Sequence, residues 1–74
     1  MPHYHINLFW SREDDCWIAD VPDLPGCSAH GSSPETAVAE VQIAIRLWLD
    51  VAEEFGNPIP EPRYRPAIYA AHAA

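Results

Sequence analysis

Four aspartates, Asp14, Asp15, Asp20 and Asp23, are the first residues whose type and spacing raise a chemical possibility. Two-metal hydrolysis needs carboxylates from different strands and a helix to converge on a pair of divalent ions. Asp14 and Asp15 follow Glu13 in a polar stretch, and Asp23 stands between Pro22 and Pro25, so these three read as solvated loop acids. Asp20 differs, because an acid inside a strand must face water or find a partner. His3 and His5 share one strand face, and His30 would join them if the third strand lay beside the first; three imidazoles in that arrangement suit zinc. No fourth ligand is set by spacing, so neither a metal nor a cofactor is expected. Cys16 and Cys27 are too few for a disulfide framework and read as small core residues with free thiols. Cys27 and His30 are also too close in sequence to mark a nucleophile and its base. No catalytic residue is assigned, and the chain is read as a non-enzyme.

The 74 residues fit one small domain, residues 1–74, whose own core is modest, so a second chain is expected to add to it. Eleven Asp and Glu face only Arg12, Arg46, Arg63 and Arg65, with no Lys, for a net charge of −7. Such a balance argues against direct nucleic-acid contact, which draws on clustered Lys and Arg. It favours a basic protein partner, since complementary charge steers encounter. The opening Met-Pro-His-Tyr-His is no basic leader, and no run approaches the roughly 20 apolar residues that span a bilayer. A cytoplasmic location without membrane contact is expected.

The elements that must position these residues follow from periodicity. His3 to Trp10 alternates, with Tyr4, Ile6, Leu8 and Trp10 on one side and His3, His5, Asn7 and Phe9 on the other, as a half-buried strand does. Ser11 to Asp15 has the length and polarity of a hairpin turn. Cys16 to Val21 resumes the pattern, with Trp17, Ala19 and Val21 opposite Cys16, Ile18 and Asp20. Pro22-Asp-Leu-Pro-Gly26 removes two ladder donors and takes the chain out of the sheet. Cys27 to His30 is a short third strand, closed by Gly31, and a three-stranded antiparallel meander is the simplest topology.

Ser32 or Ser33, then Pro34 and Glu35, signals a helix start that runs to about Phe55. Val38, Val41, Ile45, Trp48, Leu49 and Ala52 form one apolar stripe that packs on one sheet face, while Glu35, Glu40, Asp50, Glu53 and Glu54 lie largely off it. Gly56 caps the helix end. Pro58, Pro60 and Pro62 keep the following segment extended. A short fourth strand is expected around Ile68 and Tyr69 within Arg63–Ala70, and Ala71–Ala74 is expected to fray. Trp10, Trp17 and Trp48 read first as core. Phe9, opposite the core side, is left exposed unless a partner covers it, as at an interface.

Three blocks in order, Asp20-Val-Pro-Asp-Leu-Pro-Gly-Cys-Ser-Ala-His-Gly31, Ser33-Pro-Glu-Thr-Ala37 and Gly56-Asn-Pro-Ile-Pro-Glu-Pro62, resemble the HicB-like antitoxin pattern across roughly residues 4 to 70. The resemblance implies an α+β domain of order β-β-β-α-β, similar to a truncated RNase H-like fold, that forms homo-oligomers such as dimers or tetramers. It also implies a partner, a small basic HicA-like mRNA-interferase toxin whose active surface the antitoxin covers. Fuller members carry a C-terminal DNA-binding domain; with the chain ending at Ala74, the short form without one is expected. Phe9, Trp10, Glu13, Asp14, Asp15 and Trp17 are the candidate partner-binding residues, the acids imitating phosphates and the aromatics anchoring the contact. The alternatives are an oligomeric binding or scaffold domain without a toxin, and a metal-dependent nuclease.

Overall fold

The computed structural model describes residues 2–72. Three antiparallel strands, β1 (Asn7–Ser11), β2 (Cys16–Asp20) and β3 (Ser28–Gly31), form a sheet in the order β1-β2-β3, followed by one helix, α1 (Pro34–Glu54), on one face. The expected α+β meander with a long helix is therefore present. Cross-strand partners Leu8, Ala19 and Ala29 share the helix side with Trp10, Trp17 and Gly31. The other side carries Phe9, Ile18 and His30, then Asn7, Asp20 and Ser28.

β1 begins four residues later than the alternation predicts, and the reason lies in its neighbour. Asn7 pairs with Asp20, but the Val21 N–H turns away to the Cys27 carbonyl (3.0 Å) and Pro22 has no N–H to give. Neither of the two residues that follow Asp20 offers β1 an N–H.

The Pro22–Gly26 segment does more than leave the sheet. Leu24 N–H donates to Val21 O (3.1 Å) and Cys27 N–H to Leu24 O (2.9 Å), which turns the Leu24 side chain inward until none of it is exposed. Gly26 sits at φ 78°, where an L side chain is strained. Ala19, Val21, Leu24, Cys27, Ala37, Val41 and Ile45 form the core cluster, with Tyr4, Ile6, Trp17, Trp48 and Leu49 packed around it.

Both ends of α1 follow from local chemistry. Ser33 is the N-cap, its Oγ accepting from the Thr36 N–H at 3.1 Å, with Pro34 in the first turn and Glu35 beside it. At the other end Gly56 N–H donates to Glu53 O and Asn57 N–H to Ala52 O (2.8 Å), with Gly56 at φ 70°, a Schellman closure. The helix lies over β3 and β2 more than over β1. Small residues at the contact, Ala19, Ala29, Gly31 and Ala37, let it come that close.

After Gly56 the proline-rich arm runs extended and returns to the base of the sheet. The Asp23 carboxylate accepts the backbone N–H groups of Arg63 and Tyr64 (both 3.1 Å), the Tyr4 hydroxyl donates to the Pro60 carbonyl, and the Tyr64 ring lies 4.5 Å from that of His5. The expected fourth strand around Ile68 and Tyr69 is corrected by the structure: Ala67–His72 is a 3₁₀ helix, and no fourth strand exists among the described residues. Pro66 has no N–H for a ladder and instead opens the turn, Tyr69 N–H donating to its carbonyl at 3.0 Å. Of the end expected to fray, Ala71 and His72 continue that turn, while Ala73 and Ala74 lie outside the described residues.

Asp23→Ala is expected to release the arm. Hydrogen bonds to a charged group are worth about 1.5–3 kcal/mol each when shielded, and these are exposed, so about 1 kcal/mol of global stability is expected to go. Amide exchange at Arg63 and Tyr64 checks it: unchanged protection there would refute the clamp.

Candidate partner-binding site

Five of the six candidate residues lie on β1 and the turn of the β1–β2 hairpin, and the sixth, Trp17, lies on β2 opposite Trp10. The turn Arg12–Asp15 is closed by the Ser11–Cys16 pair. Ser11 holds it from below: its Oγ accepts the Asp14 N–H (3.1 Å) and donates to Asp14 Oδ2 (3.1 Å). Asp15 occupies the left-handed region at φ 53°, which aspartate tolerates better than most side chains. All of Arg12, Glu13, Asp14 and Asp15 are exposed, so the tip presents three consecutive acids to solvent.

The aromatics divide between the two faces. Trp10 and Trp17 are direct cross-strand partners, edge to face with ring centroids 5.7 Å apart, on the helix side. Phe9 pairs with Ile18 on the opposite side. Trp17 and Trp48 are half-buried, Trp48 Nε1–H donating to the Pro25 carbonyl at 3.0 Å. Trp10 is 46 % exposed despite its core-side register, because α1 lies toward β3 and leaves the outer part of β1 uncovered; Phe9 is 48 % exposed. The hairpin thus offers one free aromatic on each side of an acidic tip.

The other chemical groups are kept apart. β2 separates β1 from β3, so His30 is not beside the segment that carries His3 and His5. His5 is engaged by Asn7 Oδ1 at 2.7 Å and by the Tyr64 ring. Asp14 and Asp15 are at the tip, Asp20 lies at the far end of β2 between Asn7 and Ser28 on the side away from α1, and Asp23 is occupied with the arm. Among the described residues no three His, Cys, Asp or Glu are placed to hold a metal ion. Also among them, no helix is long and apolar enough to cross a membrane.

Cys16 and Cys27 are free thiols in different settings. Burial, and then the charge of Asp20, push the Cys27 thiol above its ordinary 9.0. Burial, and then Asp23, also raise the Tyr4 hydroxyl above its ordinary 10.0. Both groups stay protonated longer in the folded chain than in the unfolded one, so their contribution is complete below pH 9 and is lost as pH rises through the folded values. Stability is expected to fall on the alkaline side, and a thiol reagent at pH 8 to modify Cys16 in the native chain and Cys27 only on unfolding. Equal rates at the two thiols would contradict this burial pattern.

Three features were not picked out from the sequence. Asp23 gave no sign of clamping a segment forty residues away. Gly31 read as a strand end, although it is where the sheet meets the helix. Ile43, Leu47 and Val51, exposed at four-residue spacing on the outer side of α1, were a legible signal, since they fall off the core stripe.

Comparison with known proteins places the chain among relatives. A family model described as the HicB-like antitoxin of bacterial toxin-antitoxin systems matches residues 4–72. A UPF0150 protein of Thermoplasma acidophilum is 31% identical over 48 residues, 65% of this chain and 70% of the relative. A UPF0150 protein of Synechocystis sp. is 31% identical over 58 residues, 78% of each chain. No solved structure matches. With a family model spanning nearly all of a chain that also has the expected sheet-and-helix order, this protein belongs to the HicB-like antitoxin family.

Proposed function

We propose that this chain neutralises a small basic HicA-like mRNA-interferase toxin by binding it in the cytoplasm, acting as a homo-oligomer and without catalysis or DNA contact of its own. The observation that carries the reading is the β1–β2 hairpin, where Glu13, Asp14 and Asp15 stand exposed between two free aromatics, Phe9 and Trp10. A toxin that cleaves RNA must present positive charge to phosphates, and three adjacent carboxylates compete for that surface. Phe9 and Trp10 supply the apolar area that charge alone lacks, in the way aromatic anchors dominate protein interfaces. Trp17 braces Trp10 from the neighbouring strand.

The test is co-expression with the small basic reading frame adjacent to the gene. Relief of growth arrest and co-purification of a stable complex are the expected results. Persistent arrest, with no complex recovered, would sink the proposal and leave a binding domain without a toxin.

A further inference from the structure

A groove runs along the flank of α1 from the free edge of β3 to an apolar end near Val51. Its first part mixes Ala29, Ile43, Ala44 and Leu47 with the polar Ser28, His30, Thr36 and Glu40, and it turns mainly apolar between Leu47, Trp48 and Val51, a space of about 500 Å³. Ile43, Leu47 and Val51 project outward, Leu47 being 59 % exposed, and Glu40, Asp50 and Glu54 are exposed alongside. A hydrophobic stripe framed by carboxylates suits an occupant that is both apolar and basic.

The chain itself contains such a segment. All eleven acids precede residue 63, opposed there by Arg12 and Arg46 alone, whereas residues 63–74 hold Arg63 and Arg65 and no acid. In the same stretch Ile68 is 65 % exposed and Tyr69 is exposed, with the Arg65 guanidinium 5.1 Å from the Tyr69 ring centre. The basic, apolar tail and the acidic, apolar groove are thus complementary parts of one chain, and neither is covered.

The tail does not lead to its own groove. Its anchor, Tyr64, packs at a tilt against His5, and His5 is bonded to Asn7 on the side of the sheet away from α1. The groove lies on the helix side. We therefore propose that the tail of one copy, Arg63–Tyr69, docks in the α1–β3 groove of a second copy, which returns its own tail in the same way. Ile68 and Tyr69 pack on Leu47 and Val51, and Arg63 and Arg65 approach the acids that frame them. This gives the self-association in the functional reading a surface, and it leaves the hairpin free for a toxin.

Two substitutions at exposed positions test the arrangement in the full-length chain: Leu47→Glu in the groove and Ile68→Asp in the tail. Circular dichroism confirms folding, and sedimentation velocity reads the assembly. Wild type is expected to dimerise, and each variant to weaken the dimer about tenfold or more, as loss of an interface anchor does. Mixing the two variants is the decisive arm. The intact tail of Leu47→Glu fits the intact groove of Ile68→Asp, so the mixture is expected to recover association that neither variant shows alone. A groove-to-groove dimer would ignore Ile68→Asp and gain nothing on mixing. A monomeric wild type, a dimer indifferent to either substitution, or an inert mixture would each overturn the proposal. Both variants are expected to keep the wild-type affinity for toxin, so loss of the dimer and failure of the toxin reading are separately visible.

Discussion

Gly31→Ala is expected to cost about 2–3 kcal/mol, more than the same change at either other glycine of this chain. A Cβ at this position would stand 2.6 Å from the Ala37 backbone nitrogen and 2.9 Å from both the carbonyl carbon and the Cβ of Thr36. Two of those atoms are backbone in the first turn of α1, so no rotamer change relieves the clash. The helix must lift from β3, opening the contact to Ala29 and Ala37 on which the core depends. Against this, replacing a strand glycine recovers about 0.5–1 kcal/mol of backbone entropy, too little to offset the overlap. Folded chains of this size have about 4–11 kcal/mol in hand, so the loss is a large fraction of the total. In urea unfolding, with a slope of about 1 kcal/mol/M, it should move the midpoint down by about 2–3 M. Gly26→Ala and Gly56→Ala serve as comparisons, since added carbons there meet nothing within 4 Å and the strain comes from positive φ alone. Their cost should stay near 1 kcal/mol. If Gly31→Ala shifted the midpoint no more than these two, the close approach of helix and strand would not be what holds the fold.

Charge reversal at the hairpin tip has the largest expected effect on function. Glu13→Lys, Asp14→Lys and Asp15→Lys together turn three negative charges into three positive ones on a surface proposed to meet a basic toxin. Affinity is expected to fall by about 100-fold or more, through slower association, because steering depends on the net field at the contact. The wild-type association rate should also fall steeply with added salt, and that of the variant should not. Asp14 has a structural role as well, accepting the Ser11 hydroxyl and donating its N–H to the Ser11 oxygen. Asp14→Asn, which keeps a hydrogen-bonding side chain, separates turn geometry from charge. Phe9→Ala, in contrast, should act through faster dissociation, by about 2 kcal/mol if the ring is an anchor. A triple variant that still rescued growth at wild-type levels would place the toxin contact elsewhere.

The candidate site was legible in part. The hairpin could be read from alternation on both sides of a polar five-residue stretch, and Phe9 could be placed on the open side by parity, because side-chain period along a strand is strictly two. Trp10 could not be placed the same way. Its register is on the core side, yet it is half free, since exposure depends on where the helix crosses the sheet and not on which way the side chain points. His30 is a similar case: its approach to His3 and His5 depended on strand order, which no local pattern encodes.

Short-range physics determined what the sequence alone could establish: a helix that starts at Ser32 or Ser33 and closes at Gly56, a turn within Ser11–Asp15, and the extended proline arm. Each of these is decided within a few residues by a cap, a missing donor or a repeating period. Tertiary structure decided the rest. It buried Leu24, which stands in the Pro22–Gly26 segment where the chain leaves the sheet. It delayed the start of β1 to Asn7 because the Val21 N–H is spent on Cys27 and Pro22 has none, set the close contact at Gly31, tied the arm to Asp23, and made a 3₁₀ helix of the segment that sequence had cast as a strand. All of these depend on groups far apart in the chain meeting in space, so they are properties of the packed molecule and not of any window of residues.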